Sequence, residues 1–296
     1  MHNSLKGTGV AIITPFDIQG KVDETALRNI VNHLVDGGVD VLVVMGTTGE
    51  SVVLNKEEKE LVRQLVIYAN SGRSRIMLGI GGNNTAEVLN TIEHTDFSGV
   101  DAILSVSPYY NKPNQEGIFQ HYKAIANATP KPIMLYNVPG RTGSNMTAET
   151  TLRIAGELPN ICGIKEASGN MDQIVQIIKD RPEHFLVISG DDGLTLPIMA
   201  CGGDGVISVS ANAFPKPISA MVQACLNSDF EKARPIQFAF HEFTKLLFAD
   251  GSPGGIKAAM KILGLCEETV RLPLSNVKST VYEAIATEVM QLKKYF

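Results

Sequence analysis

Lys165 is the residue best placed to do chemistry, because it ends the apolar run Ile161-Cys162-Gly163-Ile164. If that run is a strand, the lysine points either into the interior or out among packed helices, and both places are poorly hydrated. Desolvation disfavours the ammonium, and the neutral amine that it favours adds to ketone carbonyls to form a Schiff base. The other reading is a strand-end lysine whose head reaches solvent or pairs with the adjacent Glu166. Tyr136 ends the preceding apolar run, and a phenol near an amine can relay protons while a carbinolamine forms and loses water; a core tyrosine with a satisfied hydroxyl is the alternative. Gly46-Thr47-Thr48-Gly49 offers two hydroxyls and several backbone N–H groups between glycines that permit close approach. That is a seat for a carboxylate, or else a plain tight turn. Arg141, in Pro139-Gly140-Arg141-Thr142-Gly143, carries a planar fork suited to a second carboxylate, or is an ordinary surface arginine.

Competing chemistries find little support. None of the six histidines (His2, His33, His94, His121, His184, His241) closes an apolar run. A metal-dependent site would need a His/Asp/Glu cluster, and Asp191-Asp192 has no histidine partners in the pattern, so the pair reads as loop and helix-cap groups. There is no G-x-S-x-G elbow, Walker A sequence or G-x-G-x-x-G, and Gly79-Ile80-Gly81-Gly82 is too incomplete to signal a dinucleotide. Neither a metal nor an organic cofactor is expected. Four cysteines (Cys162, Cys201, Cys225, Cys266) stand far apart without a C-x-x-C, which predicts buried, reduced thiols.

These residues need a scaffold, and the chain supplies a repeating one. Apolar, β-branched runs occur at Val10–Ile13, Val39–Met45, Ile76–Ile80, Ala102–Val106, Ile133–Tyr136, Ile161–Lys165, Leu186–Ser189 and Val206–Val209. They are nearly continuous rather than alternating, as parallel strands covered on both faces are. Helical patterns lie between them; in the first, Leu27, Ile30, Val31, Leu34 and Val35 mark one face and Gly37-Gly38 stops it. Eight such βα units in 296 residues predict an α/β fold, a (β/α)8 TIM barrel with a C-terminal helical extension, ahead of an open doubly wound sheet. The barrel is placed at residues 1–226 with the active site at the C-terminal ends of its strands, and the extension at 227–296. Asn227-Ser228-Asp229 provides caps for that extension, in which three helices are expected. Val277, Val281, Ile285, Val289 and Leu292 form a stripe that must pack on the barrel or on another subunit, the barrel being favoured.

A composition of 44% hydrophobic and 19% charged residues argues for a folded core and against disorder. The net charge of −5 comes without a basic stripe, which disfavours nucleic acid as a partner. The polar start Met1–Lys6 is unlike a signal peptide, and no apolar run nears the roughly 20 residues that span a bilayer. A cytoplasmic enzyme that does not engage membranes is expected.

Five ordered segments carry a family resemblance: Gly46-Thr47-Thr48-Gly49-Glu50-Ser51, Pro108-Tyr109-Tyr110-Asn111-Lys112-Pro113, Tyr136-Asn137-Val138-Pro139-Gly140-Arg141-Thr142-Gly143, Gly163-Ile164-Lys165-Glu166 and Gly205-Val206-Ile207-Ser208. Over essentially its whole length the chain resembles the dihydrodipicolinate synthase family of pyruvate-dependent class I aldolases. That resemblance implies that Lys165 forms the Schiff base with pyruvate and that Tyr136, Thr47 and Tyr110 form a proton relay, Tyr110 serving the neighbouring protomer. It further implies that Thr47 and Thr48 hold the pyruvate carboxylate, that Arg141 holds L-aspartate 4-semialdehyde, and that the carbonyls of Gly190 and Ile207 line the pocket. A homotetramer built from two tight dimers is implied, as is the committed step toward diaminopimelate and lysine. Sialic acid lyases and 2-keto-3-deoxy sugar-acid aldolases share the fold, the lysine and the tyrosine, and Arg141 argues against them. In lysine-regulated members the effector is held at positions matching Ser51, Lys56, Lys59, Asn83, Glu87 and Tyr109. Lys56 and Lys59 stand where those members carry histidine or another uncharged side chain, implying a vestigial site. The alternative is that both are solvated residues on an Asn55–Ala69 helix, pointing away.

Overall fold

The computed structural model describes residues 2–295. The eight apolar runs are strands: β1 (Gly7–Ala11), β2 (Val41–Val44), β3 (Arg75–Gly79), β4 (Ala102–Val106), β5 (Ile133–Asn137), β6 (Ile161–Glu166), β7 (Leu186–Ser189) and β8 (Gly205–Ser208). They pair in parallel in sequence order, and β8 returns to β1, closing the barrel. The first strand begins earlier than the apolar run suggests, because Gly7, Thr8 and Gly9 already pair with Gly205, Val206 and Ile207.

Two apolar layers explain the near-continuous hydrophobic strands. Val41, Val43, Met77, Leu104, Met134, Tyr136, Leu186, Ile188 and Ile207 fill the barrel interior, while Leu42, Val44, Ile76, Leu78, Ile103, Leu135 and Val187 join the larger core beneath the helices. Alternation along each strand sends neighbours to opposite layers. The strand β6 departs from it in one place. Ile133 pairs with Ile161 but Met134 pairs with Gly163, so Cys162 is an extra residue in the register. A bulge of this kind shifts the parity of everything that follows.

The helices of the barrel are α1 (Glu24–Asp36), α2 (Lys56–Asn70), α3 (Thr85–Glu93), α4 (Gln115–Ala128), α5 (Pro139–Thr142), α6 (Ala148–Glu157), α7 (Met171–Asp180), α8 (Thr195–Ala200) and α9 (Pro215–Leu226). Asp23, Asn55, Asn84, Asn114, Thr147 and Asn170 each accept a backbone N–H at a helix start, a contribution of roughly 1 kcal/mol apiece. None of the helices is long and apolar enough to cross a membrane, among the described residues.

The tail holds four α-helices where three were expected: α10 (Phe230–Ala239), α11 (His241–Phe248), α12 (Gly254–Ile262) and α13 (Ser279–Leu292). Asp229 caps the first of them. Residues 230–248 are split at Phe240, whose ring is buried edge-on against Phe214 at 5.3 Å. Of the final stripe, Ile285, Val289 and Leu292 are buried, and Val277 and Val281 pack against the same core, so the stripe is spent within the chain. Cys162 and Cys225 are buried as expected, but Cys201 is exposed and Cys266 half-buried, because Cys201 follows α8 on the surface rather than facing a layer.

Candidate active site

The bulge in β6 decides where Lys165 points. Ile161 and Ile164 both face the outer core, three residues apart rather than two or four, and Cys162 faces the interior. Lys165 therefore turns inward and Glu166 outward. Gly163 makes this possible, since a Cβ there would meet the Leu186 carbonyl oxygen at 2.5 Å. Across the ladder Lys165 is in register with Tyr136, and Glu166 with Asn137. The Lys165 Nζ lies 4.3 Å from the centre of the Tyr136 ring, and the two residues are only 6% and 7% exposed. Pairing with Glu166 does not occur: no carboxylate forms an ion pair with Lys165 among the described residues.

Glu166 is instead satisfied on the outer face. It accepts from the Ser168 N–H at 2.7 Å, from Gln173 Nε2 at 3.0 Å and from Asn137 Nδ2 at 3.1 Å, while Asn137 Oδ1 accepts from the Met146 N–H at 3.0 Å. This buried amide–carboxylate network ties β5, β6 and α7 together directly behind Tyr136 and Lys165. Burial pushes the Cys162 thiol up to about 12, so it is no competitor as a nucleophile. Gly190, at the end of β7, packs on the lysine stem: a Cβ there would lie 3.1 Å from both Cε and Cγ of Lys165.

At the end of β2 the Gly46–Gly49 segment, read as a carboxylate seat or a plain tight turn, forms a short 3-10 helix, Thr47–Gly49. Thr14 Oγ1 donates to the Gly49 carbonyl at 2.7 Å. Thr47 is exposed, whereas Thr48 is only 5% exposed. A cavity of about 280 Å³ opens here, with Thr47, Tyr136, Arg141 and Tyr109 on its wall beside Leu104 and Val106. Lys165, Thr48, Tyr110, Gly190 and Ile207 are not on that wall. Lys165 sits over the ring of Tyr136, which is on the wall, Thr48 is buried within the turn, and Ile207 belongs to the barrel interior. Gly79, Ile80 and Gly81, too incomplete a pattern to signal a dinucleotide, also line this cavity. A Cβ on Gly79 would meet the Met45 carbonyl at 2.3 Å, and one on Gly81 the Val106 nitrogen at 2.7 Å, so these glycines give the loops room.

Arg141 is exposed on α5 at the cavity mouth. The loop before α4 touches the same helix, the Tyr110 N–H donating to the Thr142 carbonyl at 3.3 Å. Tyr110 has φ of 71°, in the left-handed region that non-glycine residues adopt at a cost, and its side chain stands 87% exposed. Of the candidate effector residues, Ser51 and Tyr109 share the cavity wall, and Asn83 Nδ2 donates to the Tyr109 carbonyl at 3.2 Å. Glu87 on α3 and both Lys56 and Lys59 in the first turns of α2 are exposed.

The Asp191-Asp192 pair divides its work. Asp191 caps a short turn by accepting from the Gly193 N–H. Asp192 is not a surface cap: it is buried, accepts from Ser208 Oγ and the Val209 N–H, and burial raises its pKa. Among the described residues no group of three or more His, Cys, Asp or Glu side chains converges as metal ligands would. Sequence reasoning missed a second constellation entirely, a buried ion pair between Glu50, next to the threonine turn, and Lys257 on α12. The G-T-T-G-E pattern was visible, but nothing in it points to a partner so distant.

With this geometry in hand, comparison with known proteins is specific. A family model described as the Dihydrodipicolinate synthetase family matches residues 4–292. The 4-hydroxy-tetrahydrodipicolinate synthase of Parabacteroides distasonis is 53% identical over 289 residues, covering 98% of this chain and 97% of its own, and further relatives down to 42% identity carry the same name. The crystal structure of dihydrodipicolinate synthase from Aquifex aeolicus superimposes with a TM-score of 0.92 at 41% identity, covering 98% of both chains. That of the Cyanidioschyzon merolae enzyme with lysine bound gives 0.94 at 37% identity, covering 99% of both chains.

Proposed function

The chain belongs to the dihydrodipicolinate synthetase family, and from that premise we propose that it condenses pyruvate with L-aspartate 4-semialdehyde through a Schiff base on Lys165. Its reaction class is that of a lyase of the class I aldolase type. The observation that carries the residue assignment is the inward, buried Lys165 over the Tyr136 ring with no carboxylate to hold it.

In this reading the Lys165 amine adds to the pyruvate ketone, and the carbinolamine loses water to leave the imine. Thr47 and Thr48 receive the carboxylate at their turn, with the Gly190 and Ile207 carbonyls facing the bound pyruvate. Tyr136, with Thr47 and a Tyr110 from a neighbouring protomer, passes the protons that leave and return at nitrogen and oxygen. Loss of a methyl proton gives the enamine, whose carbon forms the new bond to the aldehyde carbon of the semialdehyde. Arg141 at the cavity mouth holds that substrate's carboxylate. The substrate's own amino group then displaces Lys165 and closes the ring. Outward exposure of Tyr110 supports its use in trans and a dimer as the smallest active unit, with a tetramer of two dimers as the assembly. Ser51, Lys56, Lys59, Asn83, Glu87 and Tyr109 form a vestigial effector site at the same end of the barrel.

Incubation with pyruvate, reduction with borohydride and peptide mass spectrometry test the assignment. One reduced pyruvyl group should appear on Lys165, and none in Lys165→Ala. A label on another lysine, or no label on the unmodified protein, overturns it.

A further inference from the structure

Glu50 directly follows the Thr47–Gly49 turn, and its N–H closes that turn onto the Thr47 carbonyl at 3.0 Å. Its φ of 53° lies in the left-handed region, a conformation that persists in a non-glycine residue only where the surroundings hold it. The surroundings are supplied by the helical tail. Lys257 of α12 donates from its ammonium to the Glu50 carboxylate, and the two side chains are 0% and 1% exposed. Lys257 Nζ also donates to the Thr269 carbonyl at 2.8 Å. The Arg271 N–H donates to the second Glu50 oxygen at 3.0 Å, and its guanidinium to the Val53 carbonyl at 3.0 Å. Both cations lie over one ring, Lys257 Nζ at 4.1 Å and Arg271 Cζ at 4.3 Å from the centre of Phe16.

Stability by itself is a weak reason for this arrangement. Well-packed apolar residues in place of a buried ion pair are often neutral or stabilising, because both charges lose their hydration. What such a pair does fix is geometry, and this one joins residues 207 apart in sequence. Its carboxylate belongs to the residue that ends the turn on which Thr47 and Thr48 are displayed.

We infer that Glu50 and Lys257 are positioning residues, a buried clamp by which the C-terminal helices hold the Thr47–Thr48 turn in the geometry that receives the pyruvate carboxylate. The inference rests on the proposed role of that turn. The double variant Glu50→Gln/Lys257→Met removes both charges at similar volume and leaves neither ion unpaired in the core. It should raise the pyruvate KM, and the pyruvate concentration that half-saturates borohydride trapping, by roughly ten- to a hundredfold. The KM for the semialdehyde at saturating pyruvate should stay within about twofold, since Arg141 is untouched. Should the double variant fail to fold, Glu50→Asp keeps the charge but withdraws it by one methylene, and the same selective rise in pyruvate KM is expected. Equal shifts for both substrates would reduce the clamp to general support, and unchanged pyruvate constants would remove it; either overturns the inference. Trapping on Lys165 in the unmodified protein distinguishes these outcomes from failure of the aldolase reading, which would show as no adduct in any of the proteins.

Discussion

Tyr136 and Lys165 face each other in register across β5 and β6, with the lysine Nζ 4.3 Å from the phenol ring centre. In the proposed mechanism the phenol of this ring relays protons to and from the amine. Tyr136→Phe should keep the ring and its packing, hence the fold, while lowering kcat by roughly 10²- to 10⁴-fold, the usual range for a lost general acid–base group. Steady-state rates beside a thermal melt check this; a folded variant with full turnover excludes the phenol from the relay.

Gly190→Ala probes the lysine's seat. The new methyl would meet Ala167 Cβ at 2.7 Å, which must shift, and Lys165 Cε and Cγ at 3.1 Å, so the lysine stem must give by a few tenths of an ångström. Overpacking of this size costs about 1–3 kcal/mol of stability, and because a full misplacement of about 1 Å at a reacting group costs about a hundredfold, this smaller shift should lower the rate by less than that. The rate of borohydride-trappable imine formation is the readout, and an unchanged rate means that the lysine stem is not held there.

Arg141 is exposed and shares the cavity wall with Tyr136. Loss of its fork in Arg141→Ala should lower kcat/KM for the semialdehyde by roughly ten- to a hundredfold, the worth of charge-assisted hydrogen bonds. Trapping of pyruvate should hardly change. An equal fall in trapping would make the arginine structural.

Inhibition by L-lysine should be weak. Lys56 and Lys59 are exposed at the start of α2, and the nearby Glu58 is already engaged by the Arg271 guanidinium at 2.5 Å, so it does not neutralise them. A like charge at about 4 Å costs roughly 1 kcal/mol in water and up to about 4 at a partly shielded surface, and each 1.4 kcal/mol is about tenfold in affinity. Initial rates at rising lysine decide the matter: half-inhibition below about 1 mM, an ordinary metabolite concentration, would show that the two lysines do not guard the site.

Stability should fall with acid partly through His121. Burial lowers its pKa from 6.5 to about 4, with Nδ1 against Thr85 Oγ1 at 2.9 Å and no partner for Nε2. Above the unfolded value both states are neutral and nothing is lost. As pH falls through the window from 6.5 to about 4, the unfolded chain takes the proton first, so folded stability declines. At pH 5 the loss from this group is about 2 kcal/mol. His33, lowered by burial as well, adds in the same direction. Denaturant unfolding at pH 7.5 and pH 5 should therefore show a smaller pH-dependent loss in His121→Gln than in the unmodified chain; identical losses would mean that His121 is protonated in the fold.

Much of this protein is written locally in its sequence. Continuous apolar runs of about four to seven residues fit strands covered on both faces, and eight of them separated by amphipathic helices leave a closed parallel barrel as the economical solution. Because such barrels present their strand ends together, the sequence alone places Thr47, Tyr136, Arg141 and Lys165 at one end of the barrel. The direction of Lys165 could not. Strict alternation from the outward Ile161 would have sent it among the helices, and only the extra residue at Cys162, accommodated by Gly163 against the Leu186 carbonyl, turns it inward. A bulge is set by the pairing of two strands, a non-local event that no single run records. The same holds for Glu50 and Lys257: each is an unremarkable charged residue in its own segment, and only the packing of α12 behind the threonine turn makes them a buried pair. Period and composition determined which elements form and which residues end them, whereas register and long-range packing decided where those side chains point and what holds them.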